Sequence, residues 1–319
     1  MMNRSYSATL SLIRYENMGS EKNAYFIIVF LVYLSSIIAN VFLMCLIYLD
    51  SALHKPMYIF LFSLLVNGLI GSTAVWPKVM LILITGDNTI SVAGCFTQTY
   101  FMIIYGACNF TILAVMAYDR LLSIFNPLEY HALMTPQKIR QLLFASSVMP
   151  EVVILGHICL ISQMSLCQYR IPRLFCDTLS FFALSCVENI QSRVSNFYGL
   201  CVFICFGALP IALVFLSYFK IIVFSLKASG NAKRKAFQTC TPHLIIFTNF
   251  SFTSCFFVIY VRSNPNLQNL YLPIFYNLSP PLLHPLVYGI RNKQTRQSWS
   301  KIKKRIIFTL NEYHSTCKC

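Results

Sequence analysis

The chain has 319 residues, of which 57% are hydrophobic, 15% aromatic and only 11% charged. A soluble domain carries roughly 25% charged residues, so this composition cannot cover a water-facing surface, and a soluble fold is excluded. The formal charge of +15, from 25 basic and 10 acidic side chains, suits nucleic acid, anionic lipid or cytoplasmic loops, and the placement of the charges decides among them.

Apolar stretches of about 20 residues can cross hydrocarbon as helices, because a helix satisfies its own backbone N–H and C=O groups where lipid cannot. Such stretches predict spans over residues 24–49, 57–84, 92–122, 138–162, 196–225, 236–261 and 270–290. The expected fold is an all-α membrane protein, a seven-transmembrane helix bundle with a short amphipathic C-terminal helix. An odd number of spans puts the two termini on opposite sides.

Lys and Arg accumulate on the cytoplasmic side. Around the first span they point the other way, with Arg4, Arg14 and Lys22 before it and Lys55 after it. Later segments tip the balance. Lys227, Lys233, Arg234 and Lys235 cluster between spans five and six, and Arg291, Lys293, Arg296, Lys301, Lys303, Lys304 and Arg305 come after span seven. Residues 1–23 are therefore expected as an extracellular N-terminus, 24–290 as the bundle and 291–319 as a cytoplasmic tail, in a multi-pass plasma-membrane protein. These charges hug span ends instead of forming a folded basic face, so nucleic acid is excluded as a partner and the lipid bilayer is expected. Residues 1–23 are polar and the first apolar run is too long for a signal-peptide core, so no cleavable signal is expected. Asn3-Arg4-Ser5 matches a glycosylation acceptor on the outer side. Similar triplets at Asn109, Asn249 and Asn277 lie within spans.

Along the chain, span two carries "HKPMYIFLFSLL" and "PKVM", with Asn67-Gly68 between them. Span three ends in "MAYDRLLSIFNPLEY". An arginine there is costly to bury, at about 2.5–3.5 kcal/mol at a helix centre and less near its end. Arg120 either snorkels to the headgroups or is held by the adjacent Asp119. Glu151 comes directly after Pro150 in the middle of span four, where intramembrane acids are functional by default, and the sequence offers it no partner. Of thirteen cysteines, Cys95, Cys167, Cys176 and Cys186 fall on the oxidising outer side and allow three pairings. The others lie in spans, read as small buried hydrophobes, or in the tail, where Cys317 and Cys319 are candidates for palmitoylation. Span five holds "SYFKII", span six opens on "NAKRKAFQTCTPHL" and span seven closes on "PLLHPLVYGIRNKQTR". A proline inside that last helix frees a carbonyl and allows a bend. HExxH, GxSxG and P-loop patterns are absent, so no enzyme, cofactor or metal is expected. No repeated halves point to a transporter.

These motifs, in this order and spacing from about residue 24 to residue 296, resemble the odorant receptors, a branch of the rhodopsin-like G-protein-coupled receptors, with the flavour of fish members. The resemblance implies that Arg120 is held by Asp119 at rest and released when the bundle opens, with Tyr118 completing the tripeptide. Tyr218 is similar to the span-five tyrosine that meets the released arginine, and Tyr288 swings about Pro285. It implies that His243 lies on the moving part of span six, with Lys235 and Thr239 joining Arg120 as contacts for a heterotrimeric G protein. A basic rim there serves lipid headgroups equally. It pairs Cys95 with Cys176 and Cys167 with Cys186. Two positions depart from the family: His284 replaces its asparagine, and Gly68 its aspartate, so sodium binding is not expected. Met102 stands where amine receptors carry an aspartate, which argues against a monoamine. Family placement sets Met102, Ile103, Gly106, Phe203, Phe206, Ser251, Cys255, Val258 and Asn277 around a small-molecule odorant, positions that serve equally as plain core. Arg262 faces headgroups or, as in receptors for short acids, a carboxylate. A metabolite sensor of the same fold fits the same motifs.

Overall fold

The computed structural model describes residues 9–17, 19, 21–186, 190–227, 230–263, 272–291 and 293–316. The expected spans are helices: α1 (Glu21–Leu49), α2 (Pro56–Thr85), α3 (Val92–Phe125), α4 (Pro136–Ser162), α5 (Ile190–Lys227), α6 (Gly230–Ser263) and α7. Six of them are long and apolar enough to cross a bilayer. The seventh, α7, comes in two pieces, Leu272–Asn277 and Ser279–Arg291. It breaks at Leu278 because Ser279 precedes two prolines, which offer no backbone N–H. The break is bridged: Leu278 N donates to Ile274 O (2.8 Å) and Leu282 N to Leu278 O (3.2 Å). A 24-residue helix, α8 (Lys293–Thr316), comes next.

Helix ends obey local chemistry. Ser91 Oγ accepts from Gly94 N (3.1 Å) to start α3, and Thr135 Oγ1 from Lys138 N (3.2 Å) to start α4, with Pro136 at the first turn. Gly86 ends α2 at φ +77°, a left-handed conformation that suits glycine. Inside α4 and α5, single π-type turns at Phe144–Val148 and Ile204–Ala208 come just before Pro150 and Pro210. Pro150 has no N–H for Ser146 O, and Thr111 Oγ1 of α3 supplies the donor instead at 2.6 Å. Each such turn takes in an extra residue and rotates the rest of the helix by about 100°.

Close approach sets the packing of α2 on α3. A Cβ at Gly71 would lie 2.4 Å from the Tyr105 ring, so glycine is required there. Leu64, Leu113, Phe250 and Tyr288 lie in the common core, while Phe215, Phe219 and Phe252 are exposed on the outside of the bundle, where lipid is the solvent. Of the free cysteines described, Cys108 and Cys240 are buried, but Cys45, Cys159, Cys201, Cys205 and Cys255 are exposed. This corrects the reading of the span cysteines as uniformly buried; an apolar thiol suits a lipid-facing surface as well. Glu151 is also exposed, on the outer side of α4.

The end of the bundle that carries the N-terminal segment, expected as the outer one, holds a feature that hydropathy does not announce, a three-stranded sheet in the order β2-β1-β3. Strand β1 (Thr9–Leu12) pairs antiparallel with β2 (Thr89–Ser91) and parallel with β3 (Arg170–Ile171). Leu10 and Leu12 are buried in an outer cluster with Ile90, Cys95, Ile171, Cys176 and Phe181. At the other end, α8 docks on the loop after α1. Asp50 accepts from Ala52 N (3.2 Å) and pairs with Lys301 (3.4 Å), Tyr58 Oη donates to Gln294 (3.1 Å), and Trp299 meets Phe42 edge-on. A hydrogen bond from Ser298, then those from Ala52 and Lys301, holds the Asp50 carboxyl below its ordinary range.

Candidate functional site

The end of α3 gathers the polar groups of the inner face. Asp119 is fully buried and is bonded by the Arg120 guanidinium, through Nε at 3.0 Å and through NH2. A third residue joins them. Tyr130 Oη, from the turn Tyr130–Leu133, donates to the other carboxylate oxygen at 2.5 Å. Burial, reinforced by that bond, raises the Tyr130 phenol above its ordinary value, so it stays a donor. Tyr130 lies eleven residues beyond Asp119, and only the loop geometry reveals it. Tyr118, by contrast, is 38% exposed and takes no part.

A second set joins three helices. His243 of α6 lies 3.0 Å through Nε2 from Leu113 O of α3, and 2.5 Å through Nδ1 from Tyr218 Oη of α5. A carbonyl only accepts, so Nε2 carries the hydrogen; Nδ1 of the neutral ring then accepts from the tyrosine. Arg120 is within electrostatic reach of Tyr218, Cys240 and Tyr288. On α7, Pro285 lies between His284 and Tyr288, both 1% exposed. Neither ring nitrogen of His284 nor the Tyr288 hydroxyl has a hydrogen-bond partner among the described residues. Thr239 is exposed at the inner end of α6; Lys235 lies on the same helix, its side chain outside the described residues.

Above this level, Gly68 sits where a Cβ would be 3.3 Å from Pro281 Cβ, and Asn40 Nδ2 donates to Pro281 O at 2.7 Å. Asn277 is fully buried with its bonds taken: Trp76 Nε1 donates to it at 2.6 Å, and its amide reaches Gly71 O and Met102 Sδ. It clamps α2, α3 and α7 together.

The outer half of the bundle holds a column of aromatic rings. Phe175 of the loop before α5 stacks on Phe257 of α6 (6.3 Å), which stacks on Tyr276 of α7 (4.6 Å, 9°). Tyr276 meets Tyr105 of α3 edge-on (6.0 Å), Tyr105 meets Phe250 of α6 (5.8 Å), and Phe250 meets Phe110 (4.7 Å). Met102 and Gly106 lie beside the column; a Cβ on Gly106 would sit 3.3 Å from the Tyr276 hydroxyl. Ile103 and Phe206 are partly buried against the core, and Ser251 is half-buried. Three expected pocket residues turn outward: Phe203 is 54% and Val258 39% exposed, and Cys255 is exposed as well. Phe203 immediately precedes the π-type turn of α5, and its neighbours Val202 and Phe206, four residues apart, take the inward positions. On α6 the inward line runs Phe250, Ser254 and Phe257. Around Phe203, Cys255 and Val258 the apolar residues lie on both faces of each helix, so hydropathy alone does not mark the inward one. Arg262 is in the last turn of α6, its side chain outside the described residues, as is Asn3 in the N-terminal segment.

Cys95 is bonded to Cys176 and Cys167 to Cys186, tying the outer loop to α3 and closing a smaller loop within it. Among the described residues, no group of three His, Cys, Asp or Glu side chains could hold a metal ion.

Comparison with known proteins places this architecture. A family profile described as "Olfactory receptor" matches residues 29–306. Human olfactory receptor 2AP1 is 33% identical over 314 residues, 96% of this chain and 99% of its own length. Mouse olfactory receptor 5AR1 is 34% identical over 281 residues, covering 87% of this chain and 90% of that protein. The crystal structure of squid rhodopsin superposes with a TM-score of 0.69 at 14% identity, covering 95% of this chain and 93% of that one, which speaks for the fold. This multi-pass, seven-helix membrane protein with a rhodopsin-like fold belongs to the olfactory receptor family, whose members are receptors and not enzymes.

Proposed function

We propose that the chain is an odorant-activated G-protein-coupled receptor, akin in motif flavour to fish members, with its N-terminus outside the cell. A small molecule enters the outer half of the bundle, and the inner half opens to promote nucleotide exchange on a stimulatory G protein. One observation carries this reading. The inner ends are held by exchangeable polar contacts: Arg120 and Tyr130 on Asp119 at the end of α3, and His243 of α6, which joins α5 through Tyr218 and α3 through Leu113 O.

Such contacts suit a switch. The neutral bonds of His243 are worth about 1 kcal/mol net each and the charge-assisted ones to Asp119 about 1.5–3, so a ligand that prefers the open state by a few kcal/mol shifts the population. The resting arrangement also leaves His284 and Tyr288 unsatisfied among the described core residues. An open arrangement in which Arg120 leaves Asp119 and α7 turns at Pro285 can supply those partners. Lys235 and Thr239, with the released Arg120, then face the G protein.

At the outer end, Met102, Ile103, Gly106, Phe206 and Ser251 are the proposed ligand contacts, joined by Phe257 and Tyr276. The absence of an acid at Met102 disfavours amines, and Arg262 at the end of α6 suits a carboxylate, so acidic or amphoteric odorants are the expected class. The test is a cyclic AMP assay in cells expressing the chain, against amino acids, short acids, amines and neutral odorants. An acid-induced rise that Arg262→Ala abolishes supports the reading. A rise that survives Arg262→Ala for every active acid refutes Arg262 as the carboxylate's partner, no response to any acid refutes the acidic class, and no rise with any ligand refutes the receptor reading.

A further inference from the structure

We infer that Tyr15 is a positioning residue for the ligand site: it fixes the loop residue Phe175 over the aromatic column, so that the N-terminal strand is part of the pocket roof. This builds on the proposed entry of ligand at this end.

Phe175 is flanked by two anchored neighbours. On one side, Tyr15 Oη donates to Leu174 O at 2.7 Å, across 159 residues of sequence. On the other, Cys176 is bonded to Cys95 and its N–H donates to Gln98 Oε1 at 2.8 Å, while Gln98 Nε2 donates to Ala74 O at 3.0 Å. The residue between them has little freedom. Its ring stacks on Phe257, and the cluster around it includes Trp76, Met102 and Leu174, with Tyr15 and Tyr276 packed alongside.

Tyr15 is held in turn. It lies in a short 3-10 turn (Ile13–Asn17) directly after β1, and β1 is the middle strand of the sheet, joining β2 to β3. Leu10 and Leu12 anchor that strand by burial against the disulfide, and Leu12 N donates to Asn88 O at 2.9 Å. Tyr15 packs against both the outer cluster and the one around Phe175. Burial, with a smaller effect from Tyr25, raises its phenol well above the ordinary value, so the hydroxyl remains a donor. A strand, a hydroxyl and a disulfide thus converge on one roof residue.

The test needs no ligand. Met102→Cys places a thiol beneath the roof, and its modification by a membrane-impermeant thiosulfonate is timed on surface-expressed receptor, with Met102 receptor as the background. Tyr15→Phe, which deletes only the hydroxyl, should raise that rate about fivefold, the scale of one lost hydrogen bond. Phe175→Ala should raise it at least as much, and Tyr15→Phe should add nothing in that background, because both act through one ring. An unchanged rate in Tyr15→Phe, or full additivity with Phe175→Ala, overturns the inference. A parallel odorant panel keeps the two readings apart: a wild-type receptor deaf to every odorant refutes the function, while labelling still decides the roof. Where odorants act, Tyr15→Phe should favour larger ones over smaller ones at unchanged surface level; an unchanged size preference counts against the assignment.

Discussion

The two ends of the bundle are held by different chemistry. The outer end carries two disulfides, a three-stranded sheet and a buried apolar cluster, none of which comes apart without unfolding that end. The inner end is latched by single polar contacts from Arg120, Tyr130, Tyr218 and His243. Bonds worth about 1–3 kcal/mol each can be exchanged at thermal energies, whereas a disulfide cannot. A rigid outer frame around a loosely latched inner end is what a transmembrane relay requires, since binding energy must be spent on movement at one end only.

Breaking the frame should have the largest effect. Cys176→Ser removes a bond between residues 81 apart in sequence, and losses of about 2–5 kcal/mol are expected for such bridges. Surface labelling should show the variant largely absent from the plasma membrane. Next comes the latch itself. Arg120→Gln should leave surface receptor near normal but cut the odorant-induced cyclic AMP response by about tenfold or more, a coupling change on the scale of 1.4 kcal/mol. His243→Leu deletes the bonds to Tyr218 and Leu113 O and leaves the Tyr218 hydroxyl without that partner in the closed state, while the Leu113 carbonyl keeps its bond within α3. Basal cyclic AMP without odorant should rise several-fold, at about fivefold per lost bond as an upper scale. Tyr130→Phe removes one bond in a partly exposed loop, and a rise of about twofold to threefold is expected in the same assay. Asp50→Asn is the mildest. Lys301 is half exposed, so its pairing contributes at most about 1 kcal/mol. Hydrogen exchange along α8 should quicken while signalling stays near wild type.

The same contrast governs how much of the molecule is legible in its sequence. Spans are legible because hydrocarbon demands about 20 apolar residues in a row, whatever they pack against. The break in α7 is written in Pro280-Pro281, but the bridging bonds of Leu278 and Leu282 follow only from the folded backbone. The inner latch is visible as motif residues, but the part of Tyr130, which closes one of those motifs, is not, because its bond to Asp119 depends on a loop turn. Inward faces are the least legible. Phe203, Cys255 and Val258 lie where apolar residues occur on both faces of their helices, and the π-type turn in α5 shifts the register beyond it without changing composition. The sheet is hidden because Thr9–Leu12 is a four-residue strand, whose partners lie about 80 and 160 residues away.

The most direct test measures the distance between the inner loop and α6. Nitroxides at Leu128→Cys and Gln238→Cys, both exposed, report on it in purified receptor. The distance should lengthen when an activating odorant is added, and should already be long in His243→Leu without ligand. An unchanged distance in a receptor that still drives nucleotide exchange would contradict the latch.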